Sequence, residues 1–182
     1  IIDIGINNIR SIIGAVNYLG FKTIVSDKEN IIMDSSGLII PGVGSFPVAM
    51  KNIQKLGLDK HLYEAIKIDK KPVLGICLGM QILCNNSLED GSHNGLGFVN
   101  AEVIKFKNNF LKVPHVGFNQ VEFNNNSILY KGLSHLSDFY FVHSYKVLSD
   151  QDICQSTCFY GDNFLASFEI DNIFGVQFHP EL

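Results

Sequence analysis

A cysteine between two glycines is the part of this sequence that most directly indicates chemistry, in the run Gly75-Ile76-Cys77-Leu78-Gly79. An apolar run typical of a strand, 71–76, precedes the cysteine, and apolar residues at helical spacing follow it over 78–85. Flanking glycines relieve crowding around a residue held on so sharp a turn. The pattern is that of a nucleophile elbow with cysteine in place of serine, where the start of a helix favours the thiolate. A buried cysteine that merely packs between glycines is the alternative.

A second chemical group stands near the end of the sequence, His179-Pro180-Glu181. A nucleophilic cysteine needs a base for its thiol and a group that orients the base. Residues two apart on an extended chain point to the same side, so Glu181 can hydrogen-bond the imidazole of His179 and fix its tautomer. A surface turn that ends a strand is the alternative. Among the six histidines, however, only His179 has a carboxylate two residues away on an extended run.

A glycine-rich loop, Pro41-Gly42-Val43-Gly44-Ser45-Phe46, follows the apolar run 38–40. Such a loop lets backbone N–H groups approach a ligand closely. It lacks the lysine and the spacing of a phosphate-binding loop. Beside an elbow, the loop can instead supply one donor to a tetrahedral oxyanion, with the N–H of Leu78 as the second. An ordinary loop remains the third interpretation.

The elements that must position these groups alternate between strand and helix in the first half, which predicts right-handed βαβ units and a parallel sheet. A helix over 9–19 ends at Gly20, and a helical region that begins at Pro47 is interrupted at Gly57. The second half is rich in short β-type runs, with Asp171-Asn172 as a two-residue hairpin turn. The predicted strands are 1–4, 22–26, 37–40, 73–77, 101–106, 120–123, 139–148, 153–160, 164–169 and 173–178.

The composition narrows the class of protein. The 182 residues are 46% hydrophobic and carry a net charge of −4, so the chain lacks the excess of basic residues that is typical of nucleic-acid-binding proteins. No apolar run approaches the roughly 20 residues of a membrane span. Four cysteines are too few for a disulfide scaffold and do not have zinc-site spacing. We expect one cytoplasmic domain over residues 1–182, without a metal or cofactor. Because the sequence does not begin with Met, we also expect residues upstream.

Three motifs in this order, PGVGSF (41–46), GICLGMQ (75–81) and HPE (179–181), resemble those of the class I, triad-type glutamine amidotransferases. The segments DIGINNIRS (3–11), VPHVGFN (113–119) and FYFVHSY (139–145) are similar, more narrowly, to the glutaminase subunits of imidazole glycerol phosphate synthase. The similarity runs through essentially the whole chain. It implies a flavodoxin-like α/β fold with a mostly parallel central sheet flanked by helices and an antiparallel β-rich second half.

The resemblance also implies roles for individual residues. Cys77 would attack the side-chain amide of L-glutamine, His179 would shuttle the proton and Glu181 would orient His179. The backbones of Val43 and Leu78 would form the oxyanion hole. The remaining positions that would hold the substrate are Gly42, Gly44, Gln81, Glu89, Ser144 and Tyr145.

The chain departs from the family pattern at three places, one of which lies at the expected contact with the partner. The family usually has Trp where this chain has Phe118, at the expected contact with the synthase, which we assign to Pro114, His115, Phe118 and Asn119. A usual Gly is replaced by Asn7, which tolerates positive φ. The family normally continues into a further helix beyond Leu182, so we expect a missing C-terminal helix.

Two partners fit these residues. The first is a cyclase subunit that uses the ammonia to make imidazole glycerol phosphate and an aminoimidazole carboxamide ribonucleotide (AICAR) in histidine biosynthesis, giving a heterodimer. This cyclase is the leading hypothesis. The second partner, the alternative, is an enzyme that amidinates a surface-polysaccharide sugar, and Phe118 and the altered N-terminal turn give it some weight. A non-enzymatic binding module is disfavoured by the intact set of Cys77, His179 and Glu181. A cysteine peptidase is disfavoured by Gln81 and the HSY segment.

Overall fold

The computed structural model describes residues 1–6, 8–106, 111–133 and 136–182, so the prediction for Asn7 lies outside the described residues. The helices are α1 Ile9–Tyr18, α2 Glu29–Asp34, α3 Phe46–Lys55, α4 Leu58–Tyr63 and α5 Leu78–Ile82, with a π-helical turn at Glu64–Ile68. The strands are β1 Leu38–Gly42, β2 Val73–Cys77, β3 Cys84–Ser87, β4 His93–Asn94, β5 Val99–Lys105, β6 His115–Glu122, β7 Leu136–His143, β8 Tyr145–Leu148, β9 Ser156–Tyr160, β10 Asp162–Ile170 and β11 Ile173–Val176.

Within the described residues, one sheet has seven strands in the order β1-β2-β11-β10-β9-β6-β7, and a smaller sheet has the order β4-β3-β5-β8. In the large sheet, β2 pairs in parallel with β1 on one side and with β11 on the other. The N-terminal segment extends this parallel part, because Ile2 N donates to Ile39 O at 2.9 Å. The strands predicted at 1–4 and 22–26 amount to a single bridge between Ile2 and Ser26, since their backbones pair at one position only.

The antiparallel part continues the same sheet through β10, β9, β6 and β7. The hairpin between β10 and β11 turns at Asp171-Asn172 as predicted, with Asp171 at φ 53°. The predicted run 139–148 is divided at Ser144, because β7 pairs with β6 and β8 pairs with β5 in the small sheet. The predicted α/β class with an antiparallel second half is confirmed.

The helix after Cys77 is shorter than predicted, since α5 ends at Ile82 and not near residue 85. Residues Cys84–Ser87 form β3, which pairs with β5 and β4. Strand pairing with partners distant in sequence therefore overrides the local helical pattern. Two glycines do end helices as predicted: Gly20 follows α1 at φ 85°, and Gly57 separates α3 from α4 at φ 67°.

Apolar side chains pack on both faces of the parallel strands. On one face, Ile12 of α1 belongs to the same buried cluster as Ile76 and Cys77. On the other, α3, α4 and α5 contribute Ile53, Leu62 and Met80. The end of β2 is thus held between two layers of helix. In the described part of the chain, no helix is long and apolar enough to cross a membrane.

Gly79 allows α5 to lie directly against β1. A Cβ at this position would stand 1.7 Å from the backbone oxygen of Ile40, which cannot move without distorting the strand. We expect Gly79→Ala to lower the free energy of unfolding by about 3 kcal/mol. Gly14→Ala is the matched control: a Cβ there meets nothing within 4 Å, and we expect a gain of about 0.5–1 kcal/mol in helix α1. Urea unfolding compares them, and equal stabilities would contradict this account of the α5 packing.

Candidate active site

Cys77 lies at the turn between β2 and α5, where the sequence placed it. Its backbone has φ 54° and ψ −110°, a conformation that non-glycine residues rarely adopt. The turn is tight because Gly75 and Gly79 touch each other: a Cβ on Gly75 would stand 2.6 Å from Gly79 O. Only 7% of Cys77 is exposed. These features hold the sulfur in a fixed position at the carboxyl end of the strand.

His179 follows β11, so the parallel pairing of β11 with β2 brings it beside Cys77. Nδ1 of His179 lies 2.9 Å from Oε1 of Glu181, and both side chains are buried. The backbone N–H of His179 donates to Tyr140 O of β7 at 2.9 Å. Because Nδ1–H donates to the carboxylate, Nε2 is the ring nitrogen left for the thiol. Among the described residues, the buried Nε2 of His179 and Oε2 of Glu181 have no hydrogen-bond partner.

The charge on the imidazole is stabilised by its two neighbours. Burial alone lowers the pKa of His179, but interactions with the Cys77 thiol and the Glu181 carboxylate raise it to about 10. The imidazolium form is therefore favoured at neutral pH when the sulfur is a thiolate. This pairing gives a nucleophile together with a proton donor, the combination that amide cleavage requires.

A cavity of about 430 Å³ opens above the sulfur. Its size is in the range of small-molecule sites. It contains most of the residues that the sequence assigned to substrate binding, and these come from four separate parts of the chain. The lining residues are Val43, Gly44, Cys77, Leu78, Gln81, Glu89, Pro114, Val142, His143, Ser144, Tyr145 and His179.

Gly42 lies beneath the cavity and does not line it. A Cβ on Gly42 would stand 2.9 Å from Leu78 Cβ, so its role in the structure is the close approach of β1 to α5. Gly44 has φ 101°, which requires glycine.

The two predicted oxyanion donors differ in whether their backbone N–H already has a hydrogen-bond acceptor. Leu78 N is the first N–H of α5, a position without an intrahelical acceptor. Val43 N instead donates to Ile6 O at 3.3 Å. In this conformation the glycine loop therefore holds one of its N–H groups away from the cavity.

Glu89 reaches the cavity from the loop after β3. Its Oε2 accepts a hydrogen bond from Phe46 N at 3.1 Å, at the start of α3, which fixes the carboxylate next to the glycine loop. Tyr145 lies close by, and burial together with the charges of Glu89 and Asp90 raises the pKa of its hydroxyl. Glu89 thus places a carboxylate against the cavity that Cys77 and His179 also line.

Sequence reasoning missed Gln177, which is fully buried and whose Nε2 donates to Cys77 Sγ at 3.6 Å. The signal was present: Gln177, His179 and Glu181 are spaced by two, so on an extended chain they share one side. His143 also borders the cavity, as a buried ring.

The four residues assigned to partner contact fall on different sides of β6. Pro114 and Phe118 are exposed, Phe118 to 69%. His115 is only 3% exposed and stacks between Phe141 and Tyr160. Asn119 is half-buried and donates to Phe159 O at 2.9 Å. The alternation of a strand explains the split, since odd-numbered residues of β6 face inward.

The exposed face beside the cavity is apolar. We call it the β6–β7 patch and define it by Pro114, Val116, Phe118, Tyr140 and Val142. Val116 pairs with Val142 and Phe118 pairs with Tyr140 across the two strands. Pro114 and Val142 also line the cavity, so the β6–β7 patch is continuous with the site. No group of three or more His, Cys, Asp or Glu suited to a metal ion occurs among the described residues.

Comparison with known proteins places the chain in one family. A family model described as glutamine amidotransferase class-I matches residues 1–182. The chain belongs to this family of class I glutamine amidotransferases. Over its full length it is 41% identical to imidazole glycerol phosphate synthase subunit HisH 1 of Campylobacter jejuni and 44% identical to subunit HisH 2 of Methanococcus maripaludis, covering 90% of each. It is also 40% identical to subunit HisH of Aquifex aeolicus, covering 87% of it.

Solved structures show the same fold at low identity. A crystal structure of a glutamine amidotransferase matches with a TM-score of 0.77 at 16% identity, covering 99% of this chain and 89% of that one. A glutamine amidotransferase from Thermotoga maritima matches with a TM-score of 0.72 at 17% identity, covering 100% of this chain and 74% of that one.

Proposed function

We propose that this chain is the glutaminase subunit of an imidazole glycerol phosphate synthase, which hydrolyses L-glutamine to glutamate and ammonia for a cyclase partner in histidine biosynthesis. The observation that carries the proposal is that buried Cys77 and His179, the latter paired with Glu181, border a cavity of about 430 Å³. The full-length identity of 40–44% to proteins named as HisH subunits supports the particular partner. Such a biosynthetic complex belongs in the cytoplasm.

In the first step, the Cys77 thiolate attacks the side-chain carbonyl carbon of glutamine and a carbon–sulfur bond forms. The electron pair of the carbonyl moves to oxygen, and Leu78 N–H stabilises this oxyanion together with a donor from the glycine loop. His179 then gives the proton on Nε2 to the amide nitrogen. The carbon–nitrogen bond breaks, ammonia leaves, and a glutamyl thioester remains on Cys77.

In the second step, water attacks the thioester. His179 now accepts a proton from the water, the carbon–sulfur bond breaks, and glutamate leaves with Cys77 as thiolate again. Glu181 keeps the ring in one tautomer and stabilises the imidazolium in both steps, because its Oε1 holds Nδ1 at 2.9 Å.

Three polar residues of the cavity lining fit the amino-acid end of glutamine: Glu89, Ser144 and Tyr145. The Glu89 carboxylate borders the cavity and can pair with the substrate's α-ammonium group. Ser144 and Tyr145 line the same cavity and supply hydrogen-bonding groups. The electrostatic polarity of the site thus favours a free amino acid over an amide within a peptide.

The cyclase docks, in this proposal, on the β6–β7 patch, because that apolar face borders the cavity from which ammonia must pass. Phe118, 69% exposed, is its most prominent side chain. The sugar-amidinating alternative is not favoured, since the full-length relatives described above are named as subunits of imidazole glycerol phosphate synthase.

We expect the isolated chain to hydrolyse glutamine slowly and the cyclase to raise kcat by about 100-fold or more. The reason is that Val43 N–H is bonded to Ile6 O, and one oxyanion donor contributes roughly 10²–10³ in rate. Ammonia release by the chain alone and by the complex with the histidine-pathway ribonucleotide measures this. Formation of imidazole glycerol phosphate in the complex tests the partner. Full activity without a cyclase would contradict the expected activation, and a complex that makes no imidazole glycerol phosphate would contradict the partner.

Phe118→Ala provides a sharper test of the docking face in the same titration. We expect the cyclase concentration that gives half-maximal activation to rise by about tenfold, because the loss of a central aromatic contact weakens binding at an interface. Tyr18→Ala is the control, because Tyr18 is 92% exposed on α1 and lies outside the β6–β7 patch. Equal activation curves for the two variants would place the cyclase elsewhere.

A further inference from the structure

We propose that Gln177 is a catalytic hydrogen-bond donor that holds the Cys77 sulfur and stabilises it as a thiolate, while Gln81 fixes the orientation of the Gln177 amide. The proposal rests on the glutaminase function proposed above. It gives Gln177 a direct contact with the reacting atom, and it gives Gln81 a positioning role in addition to lining the cavity.

The hydrogen-bond chain leaves only one orientation for the two amides. Tyr145 O can only accept, so Gln81 must direct its Nε2 toward it, at 3.2 Å. The same Nε2 lies 2.9 Å from the Gln177 side chain, which must therefore present Oε1 to it. This leaves Nε2 of Gln177 facing Cys77 Sγ at 3.6 Å, so the sulfur meets an N–H donor.

The carbonyl at the base of this chain is itself held by a neutral histidine. His143 Nδ1 donates to Tyr145 O at 2.8 Å, and His115 Nδ1 donates to His143 Nε2 at 3.1 Å. Burial, with the charges of His115 and His179, lowers the pKa of His143 to about 3, so the ring stays neutral and keeps its Nδ1 proton. The support behind Gln177 therefore does not change with pH in the neutral range.

A buried thiolate requires such a donor because it has lost most of its contact with water. The second buried cysteine provides an internal comparison. Cys84 is fully buried, and its Sγ faces an acceptor, Met80 O, at 3.8 Å. Burial raises the pKa of the Cys84 thiol far above its usual value. Cys77 is nearly as buried, but its sulfur faces the Gln177 donor and His179. Hydrogen-bond donors of this kind stabilise a thiolate.

The test is the rate at which iodoacetamide alkylates Cys77 across the neutral pH range, followed on the peptide that contains Cys77. The titratable side chains facing the sulfur or its cavity are His179 with Glu181 behind it, Glu89, His143 and Tyr145, and all of them stay unchanged in the test variants. Gln177→Met keeps the length of the side chain without its donor, and we expect alkylation at neutral pH to slow by about tenfold. Gln177→Glu places a negative charge beside the sulfur, so we expect a larger decrease.

Tyr130→Phe is the matched control. It removes another buried side-chain hydrogen bond, Tyr130 Oη to Ser167 Oγ at 2.7 Å, and should leave the alkylation rate unchanged. A purely structural role for Gln177 would lower the melting temperature of Gln177→Met and leave this rate within twofold of the original chain at every pH, which would overturn the proposal. If Gln177→Met does not fold, the side-chain amide protons of Gln177 are followed by NMR in the original chain and in Cys77→Ala. An unchanged shift would equally overturn the proposal.

Glutamine hydrolysis by the complex separates this proposal from the proposed function. We expect Gln177→Met to lower kcat by about tenfold with little change in KM, because Gln177 contacts the sulfur and does not line the cavity. If the complex of the unsubstituted chain with the cyclase releases no ammonia, the glutaminase function is contradicted, while the alkylation comparison still tests Gln177. If the unsubstituted complex is active and the Gln177→Met complex has the same kcat, only the proposed role of Gln177 is contradicted.

Discussion

Replacing Cys77 by alanine is expected to abolish glutamine hydrolysis and leave the fold intact. The sulfur forms the covalent intermediate in the proposed mechanism, so its loss removes the route, and we expect kcat to fall by about 10⁴-fold or more. The alanine methyl group fits the same turn, whose geometry is held by Gly75 and Gly79. Ammonia release by the complex with the cyclase measures the loss, and circular dichroism checks the fold.

Cys84→Ala is the control for this result, because Cys84 is also a buried free cysteine and lies only two residues beyond α5. Its sulfur donates to Met80 O and does not border the cavity. We expect Cys84→Ala to cost some stability and keep glutaminase activity. Turnover close to that of the original chain in Cys77→Ala would reject cysteine catalysis altogether.

The second large effect is expected for Glu181→Gln, with a loss of about 10²–10⁴ in kcat. The amide can still accept a hydrogen bond from Nδ1 of His179, but it carries no charge to stabilise the imidazolium and does not enforce the tautomer. The pKa of His179, raised to about 10 by Cys77 and Glu181 against the effect of burial, should fall. The imidazolium is lost as pH rises through this pKa, so the alkaline decline in activity should move to lower pH. Rate profiles of the complex against pH measure both changes.

Glu169→Gln is the matched control for a carboxylate with a structural role. Glu169 accepts hydrogen bonds from Ile128 N at 2.9 Å and Leu129 N at 3.2 Å, in a loop outside the cavity. We expect this variant to unfold at lower temperature while its kcat and pH profile stay unchanged. If Glu181→Gln showed the same pattern as Glu169→Gln, Glu181 would have a structural role and no part in holding the base.

The features that the sequence predicted well are those whose causes are local. The elbow at Cys77 depends on its two glycines, the pairing of His179 with Glu181 depends on a spacing of two, and the end of α1 depends on Gly20. Each of these can be worked out from a few neighbouring residues. The meeting of Cys77 with His179 also followed, because both are placed at the ends of paired parallel strands.

The features that the sequence did not predict depend on contacts between distant segments. The early end of α5 is set by the pairing of β3 with β5, and the inward position of His115 is set by the register of β6 against β7. The bond from Val43 N to Ile6 O joins two loops, and nothing in either loop alone indicates it. The same holds for the contact between Gln177 and Cys77, which are 100 residues apart. Tertiary packing determines such contacts, and local residue patterns carry little information about tertiary packing.

The central claim is that Cys77 opens the side-chain amide of glutamine through a covalent thioester. The most direct measurement is to incubate the complex with carbon-labelled glutamine, quench it in acid, and search the protein for bound label. The account predicts a glutamyl group on the peptide that contains Cys77, absent from Cys77→Ala and present in Cys84→Ala. Ammonia release without any label on Cys77, or label that persists in Cys77→Ala, would contradict it.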